Sequence, residues 1–409
     1  MTVSIEDIRR AADLIKGQIN PTPCVSSQTL SEITGATVYL KCENLHFTAS
    51  FKERGALVKL LSLTSEQKQR GIIAMSAGDH AQSIVLHARR LGIRSVIVMP
   101  RFTPSIKVEH TQALGAEVIL HGETLDETIS FTQRLADQRG LELIHPFDDE
   151  KVIAGQGTAA MEMIEICPDL DVILVPVGGG GLISGTAIAA KGMRPSIEVI
   201  GVEAERFPSM SRALGGTMLE CGTTTIAEGI AVKSPGKLTL PIVQKYVRDI
   251  LLVDESDIEN AVLLLLEVEK TVVEGAGASG LAALIKNRDR FSGKKVGLIL
   301  SGGNIDLLIL SSIIQRGLVR SGRIARMRVE TRDVPGALAG VAHRIAEAKA
   351  NIVEVHHQRA FTNRPVQVAE IDFVLQTRGA DHVQEIIESL IAAGYQATWM
   401  DDDPIRLTR

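Results

Sequence analysis

The chain has 409 residues, more than one compact core usually holds, so we expect two or three domains. Its hydrophobic content of 45% is typical of a globular protein, and a formal charge of −5 does not indicate a nucleic-acid-binding surface. The N-terminal residues carry charges of both signs, no apolar run is long enough to span a membrane, and the four cysteines lack paired spacing. These features predict a cytoplasmic protein without a disulfide framework or a zinc site.

Apolar segments and amphipathic segments alternate along most of the chain. Continuous apolar strands separated by helices indicate a parallel sheet with both faces covered, and such sheets bind ligands beyond the carboxyl ends of their strands. We therefore expect the functional residues in the loops that follow the strands. The predicted helices are Ala81–Leu91, Leu125–Asp137 and Ile183–Lys191. The predicted strands are Ile72–Met75, Ser95–Met99, Glu117–Leu120, Leu141–Ile144, Val172–Val175, Ile197–Val202 and Lys295–Leu300.

Lys52 lies just inside the start of another predicted helix, in the segment Ser50–Ala56. An unprotonated lysine amine is a nucleophile toward carbonyl groups, including the aldehyde of a cofactor. The neighbouring Glu53 and Arg54 also fit an ordinary solvated helix start, which would carry no chemistry. The choice between these interpretations depends on what the rest of the chain supplies.

Three loops at predicted strand ends have compositions that suit a binding site. Gly178–Gly181 leaves a buried strand, and consecutive glycines let the backbone present several N–H groups to a phosphate. The spacing matches neither the dinucleotide-binding nor the Walker pattern, so a nucleotide is the weaker choice of ligand. Ser76–His80 begins a helix and offers N–H groups to an anion, although it also fits an ordinary capped turn. Ser301–Asn304 follows the last predicted strand of this region.

Taken together, these motifs resemble threonine ammonia-lyases (threonine dehydratases), in the tryptophan synthase β-like group of pyridoxal-phosphate enzymes. The resemblance covers about residues 5–316. It implies the α/β architecture of pyridoxal-phosphate fold type II, with two subdomains that contain parallel or mixed sheets and a smaller subdomain inserted at about residues 41–148. The segments that carry it are Lys41–Leu45, Thr48–Lys52, Gly55–Ala56, Ser76–His80, Gly178–Gly181, Thr225–Val232 and Ser301–Asn304.

The resemblance implies a role for each matching residue. Lys52 would bind the aldehyde of pyridoxal 5'-phosphate and later move the proton on the substrate Cα, and Ser301 would hydrogen-bond the pyridine nitrogen. The implied reaction removes water from L-threonine, or from L-serine, and yields a 2-oxo acid and ammonia. The other residues expected to contact the cofactor are Phe51, Asp79, Gly178, Gly179, Gly180, Gly181 and Leu182, and those expected to bind the substrate are Ser76, Ala77, Gly78 and His80.

Asp79 departs from the family pattern, which has asparagine at this position. The asparagine side chain would donate a hydrogen bond to the phenolic oxygen of the cofactor, whereas an ionised aspartate has no proton to donate and would repel a phenolate. Ser83 also stands where glycine is usual. We therefore expect weakened activity or an altered substrate choice.

Three different functions also stay open. The first is that of a serine racemase, since these enzymes share most of the motifs, but they need a second base where this chain has Ala77. They also bind a divalent metal through two acidic side chains. Glu203 fits the first position but Ser209 occupies the second, so no divalent metal is expected and a monovalent cation near Glu203 stays open. The second is a lyase for a different β-hydroxy amino acid, such as 3-hydroxyaspartate, and the third is an amino-acid sensor without catalytic activity.

The chain changes character after about Arg316. Residues 317–323 are predicted to form a basic linker, and residues 324–409 a small α+β domain with the element order βαββαβ. Its predicted strands are Arg326–Glu330, Ile352–His356, Val366–Leu375 and Ala397–Met400, and its predicted helices are Val341–Lys349 and Val383–Ala392.

This C-terminal segment resembles ACT-type regulatory domains through the turn Asp333–Leu338. The resemblance implies pairing into a dimer or tetramer and an amino-acid effector near Asn351, for example a branched-chain amino acid. A module that only stabilises or dimerises is the competing interpretation. His356 and His357 lack acidic or cysteine partners at a suitable spacing, so they are interpreted as strand residues. Isoleucine synthesis and threonine breakdown both remain open as the physiological role.

Overall fold

A computed structural model describes residues 3–123, 125–358 and 365–400 of the chain. The chain divides into two compact units, Met1–Asp306 and Leu307–Arg409. Among the helices within the described ranges, none combines the length and the apolar character that crossing a bilayer requires. The end of the predicted C-terminal domain, residues 401–409, lies outside the described residues.

The strands of the structure are short and distributed over both units. They are β1 (Cys24–Ser27), β2 (Thr37–Lys41), β3 (Ile72–Met75), β4 (Ser95–Met99), β5 (Glu117–Leu120), β6 (Glu142–Leu143), β7 (Val172–Pro176), β8 (Glu198–Ala204), β9 (Asp249–Val253), β10 (Lys295–Ile299), β11 (Ile324–Arg332), β12 (Asn351–Gln358), β13 (Val368–Gln376) and β14 (Gln396–Trp399).

Helices separate most of these strands. They are α1 (Ile5–Ile15), α2 (Gln28–Thr34), α3 (Lys52–Leu61), α4 (Ser65–Arg70), α5 (Asp79–Arg90), α6 (Ser105–Ala113), α7 (Leu125–Arg139), α8 (Glu150–Ile166), α9 (Gly181–Met193), α10 (Ser209–Ala213), α11 (Thr239–Tyr246), α12 (Glu255–Val268), α13 (Gly275–Lys286), α14 (Arg288–Phe291), α15 (Leu307–Arg320), α16 (Ala337–Glu347) and α17 (Ala380–Ala392). Short 3₁₀ turns occur at Glu43–Leu45 and Glu228–Ile230.

The first unit contains two sheets. The larger sheet has the strand order β1-β2-β10-β7-β8-β9, in which β1 is antiparallel to β2 and the other neighbours are parallel. The smaller sheet has the order β5-β4-β3-β6 and is parallel throughout. These sheets confirm the predicted α/β class. The sequence-based elements did not include β1, β2 or β9, and the predicted strand Leu141–Ile144 is shortened to β6.

Close helix packing explains the glycine that follows the lysine motif. Every residue of β7 is buried, as the continuous apolar pattern predicts for a sheet covered on both faces. Beside this sheet, α3 and α8 approach each other so closely that a Cβ atom on Gly55 would lie 2.4 Å from the side-chain nitrogen of Gln156 and 2.9 Å from the carbonyl oxygen of Val152. A larger residue at position 55 would push α3, which begins at Lys52, away from α8.

The second unit has one antiparallel sheet with the order β12-β13-β11-β14. The chain order β11–α16–β12–β13–α17–β14 confirms the predicted βαββαβ arrangement. His356 and His357 lie in β12. Helix α15 ends at Arg320, so the first residues of the segment predicted as a linker are helical. The apolar cluster of this unit combines both helices with the sheet and includes Met327, Val329, Val341, Ile345, Ile371, Phe373, Val383, Ile386 and Leu390.

Candidate active site

One cavity of the first unit, with a volume of about 790 Å³, lies at the carboxyl ends of strands from both sheets. The three loops singled out in the sequence follow β3, β7 and β10, and all of them reach this cavity. Parallel strands place their carboxyl ends at one edge of a sheet, which is why these distant segments meet. The lining includes every residue that the sequence predicts to contact the cofactor or substrate, namely Phe51, Lys52, Ser76, Ala77, Gly78, Asp79, His80, Gly178, Gly179, Gly180, Gly181, Leu182 and Ser301.

Lys52 is the first residue of α3 and is half-buried in the wall of the cavity. Its Nζ atom lies 5.1 Å from the centre of the Phe51 ring, and no acceptor from the described part of the chain is within hydrogen-bond distance of that atom. The backbone N–H of Phe51 donates to the carbonyl of Ser301 at 3.0 Å. The lysine segment is therefore attached to the Ser301 loop, while its amine is available to a ligand in the cavity.

The tetraglycine loop presents its amides without protein partners. Gly180 adopts a φ of 96°, a left-handed conformation that glycine accepts without strain. The carbonyl of Gly179 accepts hydrogen bonds from the Thr239 hydroxyl at 2.6 Å and from the Gly236 amide at 3.1 Å. Within the described ranges, the amide groups of residues 178–182 have no acceptor. These amides precede or begin α9, so the loop suits a phosphate group.

Ser301 and His80 contribute polar groups of different kinds. Ser301 is only 3% exposed, and its hydroxyl has no hydrogen-bond partner among the residues that the structure describes, which leaves it available to a ligand atom. His80 is buried, and its Nε2 atom lies 3.2 Å from the carbonyl oxygen of Ile144. Burial lowers the pKa of His80 to about 3, so its imidazole is neutral at physiological pH.

Comparison with known proteins decides which cofactor this cavity holds. Residues 15–302 match the family of pyridoxal-phosphate dependent enzymes. The chain belongs to this family. Residues 321–393 of the same pyridoxal-phosphate enzyme match the ACT domain, so both parts of the resemblance found in the sequence are confirmed.

Individual relatives of this pyridoxal-phosphate enzyme carry related names. An L-threonine ammonia-lyase of Thermotoga maritima is 46% identical over 396 residues, which cover 96% of this chain and 98% of that protein. The structure of the processed threonine deaminase isoform 2 of Solanum lycopersicum is 33% identical with a TM-score of 0.71, covering 76% of this chain and 86% of that one. The serine racemase of Dictyostelium discoideum is 39% identical with a TM-score of 0.71, covering 75% of this chain and 100% of that one.

The residues of the cavity fit pyridoxal phosphate. The cofactor needs an amine for its aldehyde, donors for its phosphate and a polar partner for its ring nitrogen. Lys52, the unpaired amides of Gly178–Leu182 and the Ser301 hydroxyl are the matching groups. A Cβ atom on Gly179 would lie 2.4 Å from ring atoms of Phe147, so that position accepts no larger residue without movement of the ring.

Asp79 lies in the same cavity and is fixed by a neighbouring amide. The Asn304 side chain donates to Asp79 Oδ1 at 2.8 Å and to the carbonyl of Thr48 at 2.7 Å. Asp79 is 7% exposed, so this carboxyl group is largely removed from water. Ser83, which replaces the usual glycine, is buried with its Oγ 3.0 Å from Thr48 Oγ1. Ser83 therefore contacts Thr48 directly, whereas Asp79 is connected to Thr48 through Asn304.

Sequence reasoning missed Glu274, the residue just before α13. It lines the cavity and is 9% exposed. Burial, followed by the nearby carboxyl group of Asp79, raises the pKa of Glu274 to about 8. The signal in the sequence is an isolated acidic residue between the apolar Val273 and the small residues that begin α13.

A second set of largely buried charges surrounds Arg54, which lies in the first turn of α3. We call Lys41, Glu43, Arg54 and Glu162 the Arg54 cluster. Arg54 Nε and Nη2 donate to the two carboxylate oxygens of Glu43 at 2.7 and 2.9 Å, and Nη1 and Nη2 donate to those of Glu162 at 2.6 and 2.8 Å. Lys41 Nζ donates to Glu162 at 2.6 Å. Arg54 is fully buried, so the interpretation of this segment as a solvated helix start is wrong for Arg54.

Glu203, the weak candidate for a metal ligand, is buried away from the cavity lining. Its carboxyl group accepts hydrogen bonds from the amides of Met210 and Ser211 at 2.8 and 2.9 Å, and the Ser209 hydroxyl lies 3.5 Å away. Burial raises the pKa of Glu203 to about 7. No cluster of three or more histidine, cysteine or acidic side chains suited to a metal occurs in the described ranges.

Proposed function

We propose that this enzyme converts L-threonine to 2-oxobutanoate and ammonia by eliminating water, and that it converts L-serine to pyruvate in the same way. The observation that carries the proposal is the convergence of an unpaired lysine amine, a row of unpaired glycine amides and a serine hydroxyl on one cavity. Similarity to an L-threonine ammonia-lyase along nearly the whole chain supports the choice of substrate.

Each group at the cofactor end has a distinct task. Pyridoxal phosphate supplies an aldehyde that binds amino groups and a conjugated ring that withdraws electrons from Cα. The amides of Gly178–Leu182 would bind the phosphate, and Phe51 would lie beside the ring. The Ser301 hydroxyl is neutral, so it would hydrogen-bond the ring nitrogen without supplying the charge that a carboxylate would bring. Lys52 Nζ would hold the aldehyde, and its amine would accept the Cα proton of the substrate.

The opposite wall would orient the substrate. Ser76, Ala77 and Gly78 lie between β3 and α5, where backbone N–H groups at the start of the helix would bind the substrate carboxylate. Ala77 carries no group that could return a proton to the second face of Cα. Lys52 would then move this proton on one face of Cα without a second base at position 77, which favours elimination over racemisation.

An assay for the product tests this function. The holoprotein is incubated with L-threonine, L-serine or 3-hydroxyaspartate, and the 2-oxo acid and ammonia are quantified. We expect 2-oxobutanoate from L-threonine, and a loss of about 10²–10⁴-fold or more in Lys52→Ala. Lys233→Ala is the matched control, because Lys233 lines the same cavity and has no assigned role. Cofactor-loaded protein that releases no 2-oxobutanoate, or that prefers 3-hydroxyaspartate, would refute the assignment to threonine.

For the ACT domain we infer an amino-acid effector. Support comes from the family match of residues 321–393, and Asn351 at the start of β12 is the residue expected near the ligand. Isoleucine and valine are titrated against the rate with L-threonine and against direct binding. Flat kinetics together with the absence of binding for both amino acids would reject feedback regulation. The dimer or tetramer and the cytoplasmic location stay predictions.

A further inference from the structure

Two carboxyl groups approach each other on the wall of the cavity next to Gly302. The position that a Cβ atom would occupy on Gly302 is 2.6 Å from Glu274 Oε1 and 3.2 Å from Asp79 Oδ2. Glu274 Oε1 and Asp79 Oδ2 therefore lie close to each other, because both are near the same point beside Gly302. Asp79 belongs to α5 and Glu274 precedes α13, so the fold brings two acids together from distant parts of the sequence.

The groups around these acids do not neutralise two negative charges. The charged groups that act on Glu274 are Asp79, Lys52, Glu228 and Lys107. Lys107 is paired with Glu228 at 2.8 Å, which leaves Lys52 as the remaining cation, and Lys52 is the residue assigned to the cofactor aldehyde. The neutral amide of Asn304 occupies Asp79 Oδ1. Two buried carboxylates with so little compensation are costly, so one of them retains its proton.

We propose that Asp79 and Glu274 hold one proton between them at neutral pH, so that this wall keeps a hydrogen-bond donor next to the cofactor. The raised pKa of Glu274 is consistent with that state. Because the two groups interact, the proton belongs to the pair and to neither acid alone. The proposal depends on the pyridoxal-phosphate site described above, but it assigns a role to Glu274 that the reaction scheme does not use.

The shared proton resolves the difficulty that Asp79 creates. An asparagine amide donates a hydrogen bond at any pH, whereas a lone buried aspartate donates only when it is protonated. When Glu274 lies beside Asp79, the pair keeps one proton to donate and carries a single negative charge. This holds until the shared proton is lost. The chain thus replaces a permanent donor with one that is lost at alkaline pH.

Infrared difference spectroscopy on the apoenzyme detects this proton directly. Spectra are compared between about pH 6 and about pH 9.5, where a carboxylic acid that ionises loses its C=O stretching band. Glu203, whose pKa burial raises to about 7, contributes a band in the same range, so the measurement is made in Glu203→Gln. In this background we expect one carboxylic acid that titrates near the value of about 8 for Glu274.

Two substitutions assign the band to the pair. Glu274→Gln should remove it, and Asp79→Asn should move its midpoint down by about one pH unit or more, because the neighbouring negative charge is gone. If Glu203→Gln fails to fold, the spectra of Asp79→Asn and the wild type are compared directly. The midpoint of the pair's band should then differ between the two proteins, while the Glu203 band should be the same in both. A spectrum without a carboxylic acid in this range, or a midpoint that Asp79→Asn leaves unchanged, would overturn the proposal.

The apoenzyme spectra separate this proposal from the proposed function. A titrating pair in a protein that releases no 2-oxobutanoate would remove the function and keep the shared proton. An active lyase without such a band would support the proposed function and overturn the shared proton. In the holoenzyme, the cofactor absorbance of the wild type should change over the pH range in which the pair titrates, and Asp79→Asn should shift that change to lower pH.

Discussion

Two groups of buried charges flank the cofactor lysine, and they are built in opposite ways. In the Arg54 cluster two cations meet two carboxylates, and Arg54 forms paired hydrogen bonds with both Glu43 and Glu162. In the Asp79–Glu274 pair two acids face each other with little compensation. Burial alone would raise the pKa of Glu43, yet Arg54 holds it well below its usual range, whereas the pKa of Glu274 is raised.

Burial therefore has different consequences in the two groups. It contributes to the structure in the Arg54 cluster, and it changes the protonation state of the Asp79–Glu274 pair. In the balanced cluster, Arg54 and Glu43 stabilise each other's charged forms, and their hydrogen bonds anchor the start of α3, which carries Lys52. An unbalanced pair cannot keep both charges, so it stores a proton at the cavity wall. Substitutions in the two groups should therefore have opposite effects.

The largest expected effect comes from breaking the balanced cluster. Arg54→Met leaves Glu43 buried without its main partner, and we expect the free energy of unfolding to fall by about 3–5 kcal/mol. Urea denaturation of the full chain measures this change. Arg94→Met is the control, because Arg94 forms an exposed pair with Glu117 and should cost less than about 1 kcal/mol. Equal losses in the two variants would contradict the distinction between buried and exposed pairs.

Part of the pH dependence of stability above neutral pH should come from the unbalanced pair. The folded pKa of Glu274, about 8, lies above its unfolded value of 4.5, so the folded state binds the proton more tightly. This contribution to stability is complete below the unfolded pKa and is lost as the pH rises through the folded pKa. Between about pH 6 and about pH 9 we expect the free energy of unfolding to fall by about 1–3 kcal/mol on account of Glu274.

Urea titrations of Glu274→Gln at several pH values sharpen this expectation. The free energy of unfolding of the variant should fall less steeply with pH than that of the wild type. The pH dependence that remains belongs partly to Glu203, whose pKa is raised to about 7. Glu43 contributes nothing in this window because its folded pKa is already well below the usual range. If the free energy of unfolding depends on pH equally in the wild type and Glu274→Gln, then Glu274 does not hold the proton.

The smallest expected effect on stability is that of Asp79→Asn. An asparagine keeps an acceptor for the Asn304 amide and removes one of the two like charges. We expect stability at about pH 9 to rise by at most about 1 kcal/mol, the opposite direction to Arg54→Met. Turnover of L-threonine should stay within about threefold of the wild type near pH 7 and should not decline with the pair's titration at alkaline pH. A marked loss of stability, or an unchanged alkaline decline, would contradict the shared proton.

The sequence alone predicts those functional residues that lie next to one another in the chain. The tetraglycine loop, the Ser76–His80 loop and Ser301 each follow an apolar strand, and the geometry of parallel sheets makes such strand ends converge. The ACT arrangement was likewise readable from alternating patterns around Asp333–Leu338. Local patterns of this kind determine which segments reach a site.

The sequence was insufficient where the chemistry depends on contacts between distant residues. Glu274 is a single acid in an apolar stretch, and only the fold places it beside Asp79. Arg54 belongs to a charged triplet that fits a solvated surface equally well, until Glu43 and Glu162 are seen to surround it. Strand β9 was not predicted either; it lies at the edge of the larger sheet, where Val253 is its one fully buried residue.

Locating the cofactor on the chain tests the central claim most directly. The holoprotein is reduced with borohydride, which converts the bond between the lysine and the cofactor aldehyde into a stable amine, and the modified peptide is identified by mass spectrometry. Among the residues that the structure describes, three lysines line the cavity, Lys52, Lys107 and Lys233, so the experiment discriminates between distinct candidate residues. We expect the added mass on Lys52 alone. Modification of Lys107 or Lys233 instead, or of no lysine in the cavity, would contradict the assignment.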